Sequence, residues 1–465
     1  MISSSLTCQI PRLLVAAPAS GSGKTTLTCA LLMALVRRAI QVGSFKCGPD
    51  FIDPMFHQTV IGIPSRNLDL YLSGEEGVRF LLARAAKGLD LAILEGVMGL
   101  YDGVSGQGDQ ASSNHLALLT QTPTVLVVSV RGMGHSLLAL IQGFLNYQEN
   151  TIQGVILNQC SAARYPEYKA EIEAKLGLPV LGHLPPLPAA SLGSRHLGLI
   201  TAAEIADLNE RMVHLGQTAE TSLDLDALIE LAQKAPSFTA PNLWPALPRK
   251  TAKVRIGLAN DRAFCFHYQD NLDLLVHLGA ELIEFSPLQD AELPGELAGL
   301  ILPGGYPELY APALSANQIM RESIARAIGQ GLPLLAECGG FMYLHETFVD
   351  QDGQNLPMAG AIPGKTWMTG KLKRFGYLEL TAETGTPLVE HGGTFKAHEF
   401  HYSDSDAPGS AMTARKRDQS WPCIVANEQQ MAGYPHVHFA ARPEMAARFL
   451  TLCRNFAATE GGMET

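Results

Sequence analysis

The chain has 465 residues, 46% hydrophobic and 17% charged, which bounds it to a globular protein of two or three domains. Its 34 basic against 45 acidic residues, a net charge of -11, argue against a general nucleic-acid binder, which needs a basic face, yet leave room for a local cationic pocket. Eight scattered cysteines without a C-x-x-C pair exclude a disulfide scaffold, and no apolar run forms a convincing signal peptide or reaches the ~20 residues of a membrane span, so a soluble, cytoplasmic protein without membrane contact is expected.

In chain order, "RLLVAA" (12–17) reads as a buried strand, followed by a helix from about Lys24 to Arg38. "DLAILEG" (90–96), "TVLVVSV" (124–130), "GVILN" (154–158) and "PVLGHLP" (179–185) are short apolar runs bounded by Gly, Pro or Asp, the pattern of parallel strands buried on both faces. Residues 234–250 carry four prolines and predict an extended connector, with the domain boundary near residue 245. The alternation restarts with "VRIGLAN" (254–260), "AELIEFS" (280–286), "AGLILPGG" (298–305) and "GLPLLAECGG" (331–340). Residues 366–440 are richer in strand and turn signals, and a helix from about Pro443 to Ala457 closes the chain. The expected architecture is α/β: two doubly wound, mainly parallel-sheet domains, 1–245 and 246–465.

The first chemical signal is "APASGSGKTT". It fits the phosphate-loop pattern G-x-x-x-x-G-K-[ST], except that Pro18 stands at the first glycine. Pro18 removes one early N–H donor. Gly21, Ser22, Gly23, Lys24, Thr25 and Thr26 keep the donors that matter, at a helix N-terminus. Lys24 would meet the β- and γ-phosphates and Thr25 a Mg²⁺ ion. Glu95, at a predicted strand end, could hold the metal's water shell. Lys46, Asp50 and Asp53 in "SFKCGPDFIDP" could serve phosphate, metal or substrate, or simply cap a turn. Asp50 is taken with Thr25 and Glu95 as the metal set, and Asp53 as a substrate group. Asp102 lies in a glycine-rich loop beyond Glu95 that would overlie the phosphate end of the site, and is taken as a substrate group. Arg195 and His196 in "SRHLGL" could pair with carboxylates, although a solvated loop explains them as well.

The second signal is an apolar strand running into Glu337–Cys338–Gly339–Gly340 and then a helix. A sharp strand-to-helix turn exposes a thiol, and a helix N-terminus favours its thiolate. "LILPGGYPEL" ends another strand in glycines, so the amides of Gly305 and Gly339 could face a developing oxyanion. A base is needed, and fourteen histidines compete. His398, His401, His436 and His438 are candidates that spacing alone does not separate. No third ligand supports His436 and His438 as a metal pair.

With these motifs, joined by "PSRNLDLY", "EGVMGLYDG", "NLDLLVHLGAEL", "AHEFHYS" and "YPHVHF", the chain resembles the cobyrinate a,c-diamide synthase family along essentially its whole length from about residue 12. The resemblance implies a P-loop, dethiobiotin-synthetase-like first half and a class I glutamine amidotransferase-like second half. It implies Cys338 as the nucleophile and His436 as its base. Most class I members carry a glutamate two residues after the histidine; here that place is His438, and the third triad member stays unassigned. The implied reaction is amidation of the a and c acetate groups of cobyrinate with ATP, Mg²⁺ and L-glutamine, with hydrogenobyrinate or nickel-sirohydrochlorin as alternative substrates. A binder that senses glutamine or a corrinoid without turnover is the reading from another class. Lys46, Arg66 and Arg195 are the cations expected to meet a polyanionic tetrapyrrole. A homodimer is compatible with the sequence.

Overall fold

A computed structural model describes residues 5–106, 108–187, 208–246 and 253–460. Two compact units divide the chain, Met1–Asn242 and Leu243–Thr465. In the first, a short β1 (Ser5–Cys8) precedes β2 (Arg12–Ala16), β3 (Val42–Cys47), β4 (Ser65–Leu68), β5 (Leu91–Glu95), β6 (Thr124–Ser129), β7 (Ile152–Asn158) and β8 (Val180–Leu184). β2 to β8 form one parallel sheet in the order β4-β3-β5-β2-β6-β7-β8. β2, β3 and β5 are buried at every position, which is why β2 and β5 read as largely apolar runs rather than alternations. Helix α1 (Lys24–Arg37) buries Leu27, Leu31, Leu32 and Leu35, one face at helical spacing, in a core shared with Met212 and Leu215 of the helix Leu208–Ser222.

The proline-rich span differs from a bare connector. Its residues Phe238–Pro241 form β9, paired antiparallel with β1. Arg12 ties this span down: its buried guanidinium donates to Thr120 O at 2.7 Å and Pro236 O at 2.6 Å, and lies 5.1 Å from the Phe238 ring centroid. Pro241 at the end of such a short strand is tolerated because an edge position asks little of its N–H groups.

The second unit begins with β10 (Val254–Ala259), β11 (Ala280–Phe285), β12 (Gly299–Leu302) and β13 (Leu334–Glu337). Then come β14 (His345–Val349), β15 (Asn355–Pro357), β16 (Ile362–Met368), β17 (Arg374–Ala382), β18 (Thr394–His401), β19 (Ser403–Ser405), β20 (Met412–Lys416), β21 (Gln419–Cys423), β22 (Val425–Ala426), β23 (Gln430–Gly433) and β24 (His436–Val437). The core sheet has the order β11-β10-β12-β13-β23-β22 and is parallel except for the β22–β23 edge pair. The region read as strand and turn builds two further sheets, β15-β14-β16-β19 and the antiparallel β21-β20-β17-β18-β24. A helix over Glu444–Glu460 closes the chain.

Candidate active sites

In the first unit the register of the sheet assembles the site. β3 and β5 pair Lys46 with Glu95, and β2 and β5 pair Val15 with Glu95, so both charged residues stand at the carboxyl edge beside the loop that leaves β2. This edge, where the strand order reverses, is where open α/β sheets bind ligands. Gly23 ends the loop at φ 92°, the left-handed region, and a Cβ there would lie 2.1 Å from Asn158 Nδ2, an atom that donates to Ser22 O at 2.9 Å. No side chain caps α1, which leaves its first N–H groups for an anion.

Lys24 is buried and donates to the carbonyls of Ala19, at 3.2 Å, and Met98. Burial, aided by the neighbouring Lys46, pushes its pKa down to about 8, so it still carries charge at neutrality. Thr25 Oγ1 donates to Glu95 Oε1 at 2.6 Å and lies 3.5 Å from Asp53 Oδ2. Lys46 Nζ contacts Asp53 and donates to Glu95 Oε1 at 3.2 Å. Burial opposes its charge, but the Asp53, Glu95 and Asp50 carboxylates outweigh that and raise its pKa.

Asp50 stands further out, 3.9 Å from Lys46 Nζ, with Oδ1 accepting from Ile52 N. The short helix Ile52–Phe56 turns Asp53, rather than Asp50, back toward Thr25. Asp102 accepts from Gly99 N at 2.8 Å and so braces its own loop, and Arg66 lies on β4 level with Phe45. Arg195 and His196 lie outside the described residues.

His57 has no signal in the sequence that marks it. It opens a π-helical turn, His57–Ile61, fully buried, with Nδ1 2.7 Å from Ser44 Oγ and Nε2 3.6 Å from Glu95 Oε2. Among the described residues no ready-made group of three His, Cys, Asp or Glu side chains could cage a metal. Glu95 Oε2 is nevertheless a buried acceptor without a hydrogen bond, beside a threonine hydroxyl and a second carboxylate. That hard-oxygen set fits Mg²⁺, which binds through one or two carboxylates plus phosphate oxygens.

In the second unit three strand ends converge. β13 ends in Glu337 and turns at Cys338, whose φ 46°, ψ −101° is a rare conformation for a residue with a side chain. Cys338 N donates to Gly433 O at 2.7 Å and Gly340 N to Pro303 O at 3.0 Å, which lock the turn between β12 and β23. Gly304 must be glycine: a Cβ there would lie 2.6 Å from His436 Cε1 and 3.5 Å from Cys338 Cβ. A Cβ on Gly339 would lie 3.0 Å from Gly305 N, so the Gly305 and Gly339 amides stand side by side. The Gly339 N–H is the first of a helix and has no intrahelical acceptor. That helix, Gly339–Leu344, has only six residues, so its dipole adds little to thiolate stability.

The four histidines now separate. His436 is the one hydrogen-bonded to Cys338. Burial works against its charge, but hydrogen bonds to Cys338 and Glu337 outweigh it and raise its pKa to about 10. Burial drives the others down: His398 to about 3, His401 to about 4 and His438 to about 4. His401 stacks on Tyr434, ring centroids 3.8 Å apart, and donates from Nδ1 to Ser403 O. His438 accepts at Nδ1 from Ala440 N and packs on Tyr268. Glu337, which sequence reading passed over, stands 3.2 Å from His436 Nδ1. On the expectation from the sequence that Cys338 and His436 split glutamine, the rate should hold from neutrality to about pH 9 and fall near pH 10, because His436 is protonated below that value and would hand a proton to departing ammonia. Initial rates of glutamate release across pH, with circular dichroism as a check on folding, measure it; a fall centred near neutrality would contradict this assignment.

A phosphate-binding loop and a cysteine–histidine elbow in one chain define a nucleotide-dependent glutamine amidotransferase. Residues 13–199 match the CobQ/CobB/MinD/ParA nucleotide binding domain, and residues 255–444 the CobB/CobQ-like glutamine amidotransferase domain. The cobyrinate a,c-diamide synthase of Syntrophotalea carbinolica is 40% identical, over 96% of this chain and 99% of that protein. Those of Gloeobacter violaceus and Salmonella typhimurium are 41% and 39% identical, each over 95% of this chain and over 96% and 98% of their own lengths. The chain belongs to the cobyrinate a,c-diamide synthase family. It is an ATP-using ligase with glutamine as amide donor. Among the described residues no helix is long and apolar enough to cross a membrane.

Proposed function

We propose that the chain amidates the a and c acetate carboxylates of cobyrinate, with residues 1–245 activating the carboxylate and residues 246–465 releasing ammonia from glutamine. The observation that carries this reading is that two chemically complementary sites, Lys24 with Glu95 and Cys338 with His436, sit in one chain. A carboxylate does not condense with ammonia in neutral water. Transfer of the γ-phosphoryl group of ATP to a carboxylate oxygen gives an acyl phosphate, whose carbon ammonia attacks with loss of phosphate. Lys24 and the loop amides from Gly21 to Thr26 would hold the phosphates, and Lys46, beside Asp53 and Glu95, would meet the substrate carboxylate. Thr25, Asp53 and Glu95 would hold Mg²⁺, which would supply positive charge to offset that of the phosphates.

In the second unit the Cys338 sulfur attacks the side-chain amide carbon of glutamine. The Gly305 and Gly339 amides receive the oxyanion, and His436 gives the leaving nitrogen its proton. Water then hydrolyses the thioester to glutamate. ATP and glutamine supply place the reaction in the cytoplasm. Mass spectrometry of products formed from cobyrinate, hydrogenobyrinate and nickel-sirohydrochlorin, each with ATP, Mg²⁺ and glutamine, tests the proposal. The diamide of cobyrinate is expected to dominate; preference for another tetrapyrrole would reassign the substrate, and no diamide from any of them would overturn the function.

A further inference from the structure

We propose that Glu337, the residue immediately before the nucleophile, is the positioning acid of the glutaminase site, in the role for which the usual place two residues after the histidine holds His438. This rests on the glutaminase reading of Cys338 and His436 given above.

The geometry is that of a two-pronged carboxylate. Glu337 Oε2 lies 3.2 Å from His436 Nδ1, and Oε1 accepts from Val437 N at 3.1 Å. One prong fixes the ring and the other fixes the strand that carries it. With Nδ1–H donated to Glu337, Nε2 is the ring atom left to serve the Cys338 sulfur. An acid in this place orients the ring and stabilises the imidazolium that stands ready to give its Nε2 proton to the departing ammonia.

The fold explains how a neighbour in sequence reaches across. β13 and β23 pair Glu337 with Gly433, three residues before His436, so the end of β13 abuts the turn that delivers the histidine. The nucleophile itself turns away at positive φ, so its sulfur and the Glu337 carboxylate reach the ring separately.

His438 cannot do the same work. Its Nδ1 accepts from Ala440 N and its ring packs on Tyr268. β18 adds three ionisable groups close enough to feel the charge of His436. His398, directly opposite it in the strand register, is kept neutral by burial. Burial raises Glu399 to about 7, and His401 is turned to Ser403.

The test compares Glu337→Gln with His438→Asn in the full-length chain. The glutamine variant keeps an acceptor for Val437 N but offers His436 a neutral amide, and the asparagine variant keeps an acceptor for Ala440 N. Glu337→Gln is expected to lower kcat for glutaminase by up to about 10⁴-fold, with KM for glutamine changed less than about threefold, as when a triad acid is neutralised. The high-pH limb of its residual rate should move from near pH 10 toward neutrality, because one of the groups holding His436 protonated is gone. His438→Asn should stay within about threefold of wild type. Amidation driven by ammonium salt should be unchanged in both, which reports that each variant is folded. Glu337→Gln with near wild-type kcat and an unmoved limb, or a larger loss in His438→Asn, would overturn the inference. A wild-type chain without glutaminase activity would instead overturn the reading on which it rests.

Discussion

Replacing Cys338 by alanine is expected to abolish glutamine-driven amidation and to leave amidation driven by ammonium salt intact. The thiol is the only atom of the second site that bonds covalently to glutamine in the proposed sequence, and removing a nucleophile of this kind costs at least about 10³-fold in turnover. The loss should not come from unfolding. Cys338 is a buried member of a core that includes Phe341, Tyr343 and Tyr434, but the sulfur is one atom of it, and alanine avoids the overpacking that a larger side chain would force. Alanine also inherits the strained φ 46°, so it gains no conformational relief. Ammonia added as its salt bypasses the sulfur, because in the proposed reaction the carboxylate is activated by residues of the other unit. Glutamate release and diamide formation, measured in parallel with glutamine and with ammonium chloride, separate the two. Glutamine-driven turnover surviving in Cys338→Ala would remove the cysteine from the chemistry, and a variant dead with both donors would show that the two activities are not separable.

The parts of this arrangement legible in the sequence are those whose chemistry is local. A phosphate loop is a contiguous strand, loop and helix, so "SGSGKTT" declares itself even with Pro18 in place of a glycine. The cysteine elbow is local in the same way. What stayed hidden depends on how distant segments meet. Asp50 and Asp53 are equivalent as letters; the single turn Ile52–Phe56 decides which one faces Thr25. The four histidines are equally equivalent until burial and partners are known, and only His436 keeps company with both a thiol and a carboxylate. Glu337 was hidden by its position, because a residue beside the nucleophile reads as part of the strand that presents it. The proline-rich span misled for a related reason: its strand β9 finds its partner in β1, at the far end of the unit, and its Phe238 is held under Arg12. His57, buried beside Glu95 in a π-turn, has no sequence pattern at all.

Replacing Lys24 by alanine is the converse experiment, and its expected effect is loss of amidation with either donor. The ammonium group is held by the Ala19 and Met98 carbonyls at the mouth of the loop, where the phosphates of ATP must lie against the first turn of α1. Burial brings its pKa down only to about 8, so near neutrality the charge is present and poorly hydrated, which makes it effective on a transferring phosphoryl group. Removing one such preorganised charge costs ~10²–10³-fold in turnover. Arginine should not substitute, because the planar guanidinium needs a wider seat than two carbonyls built for a point charge. Glutamine hydrolysis tells this loss apart from general damage. Lys24→Ala should still release glutamate from glutamine, because Cys338 and His436 stand in the other unit, while forming no diamide from glutamine or ammonium salt. Retention of ammonium-driven diamide formation would mean that Lys24 is not needed to activate the carboxylate, and the phosphate loop would then have to serve a step other than phosphoryl transfer.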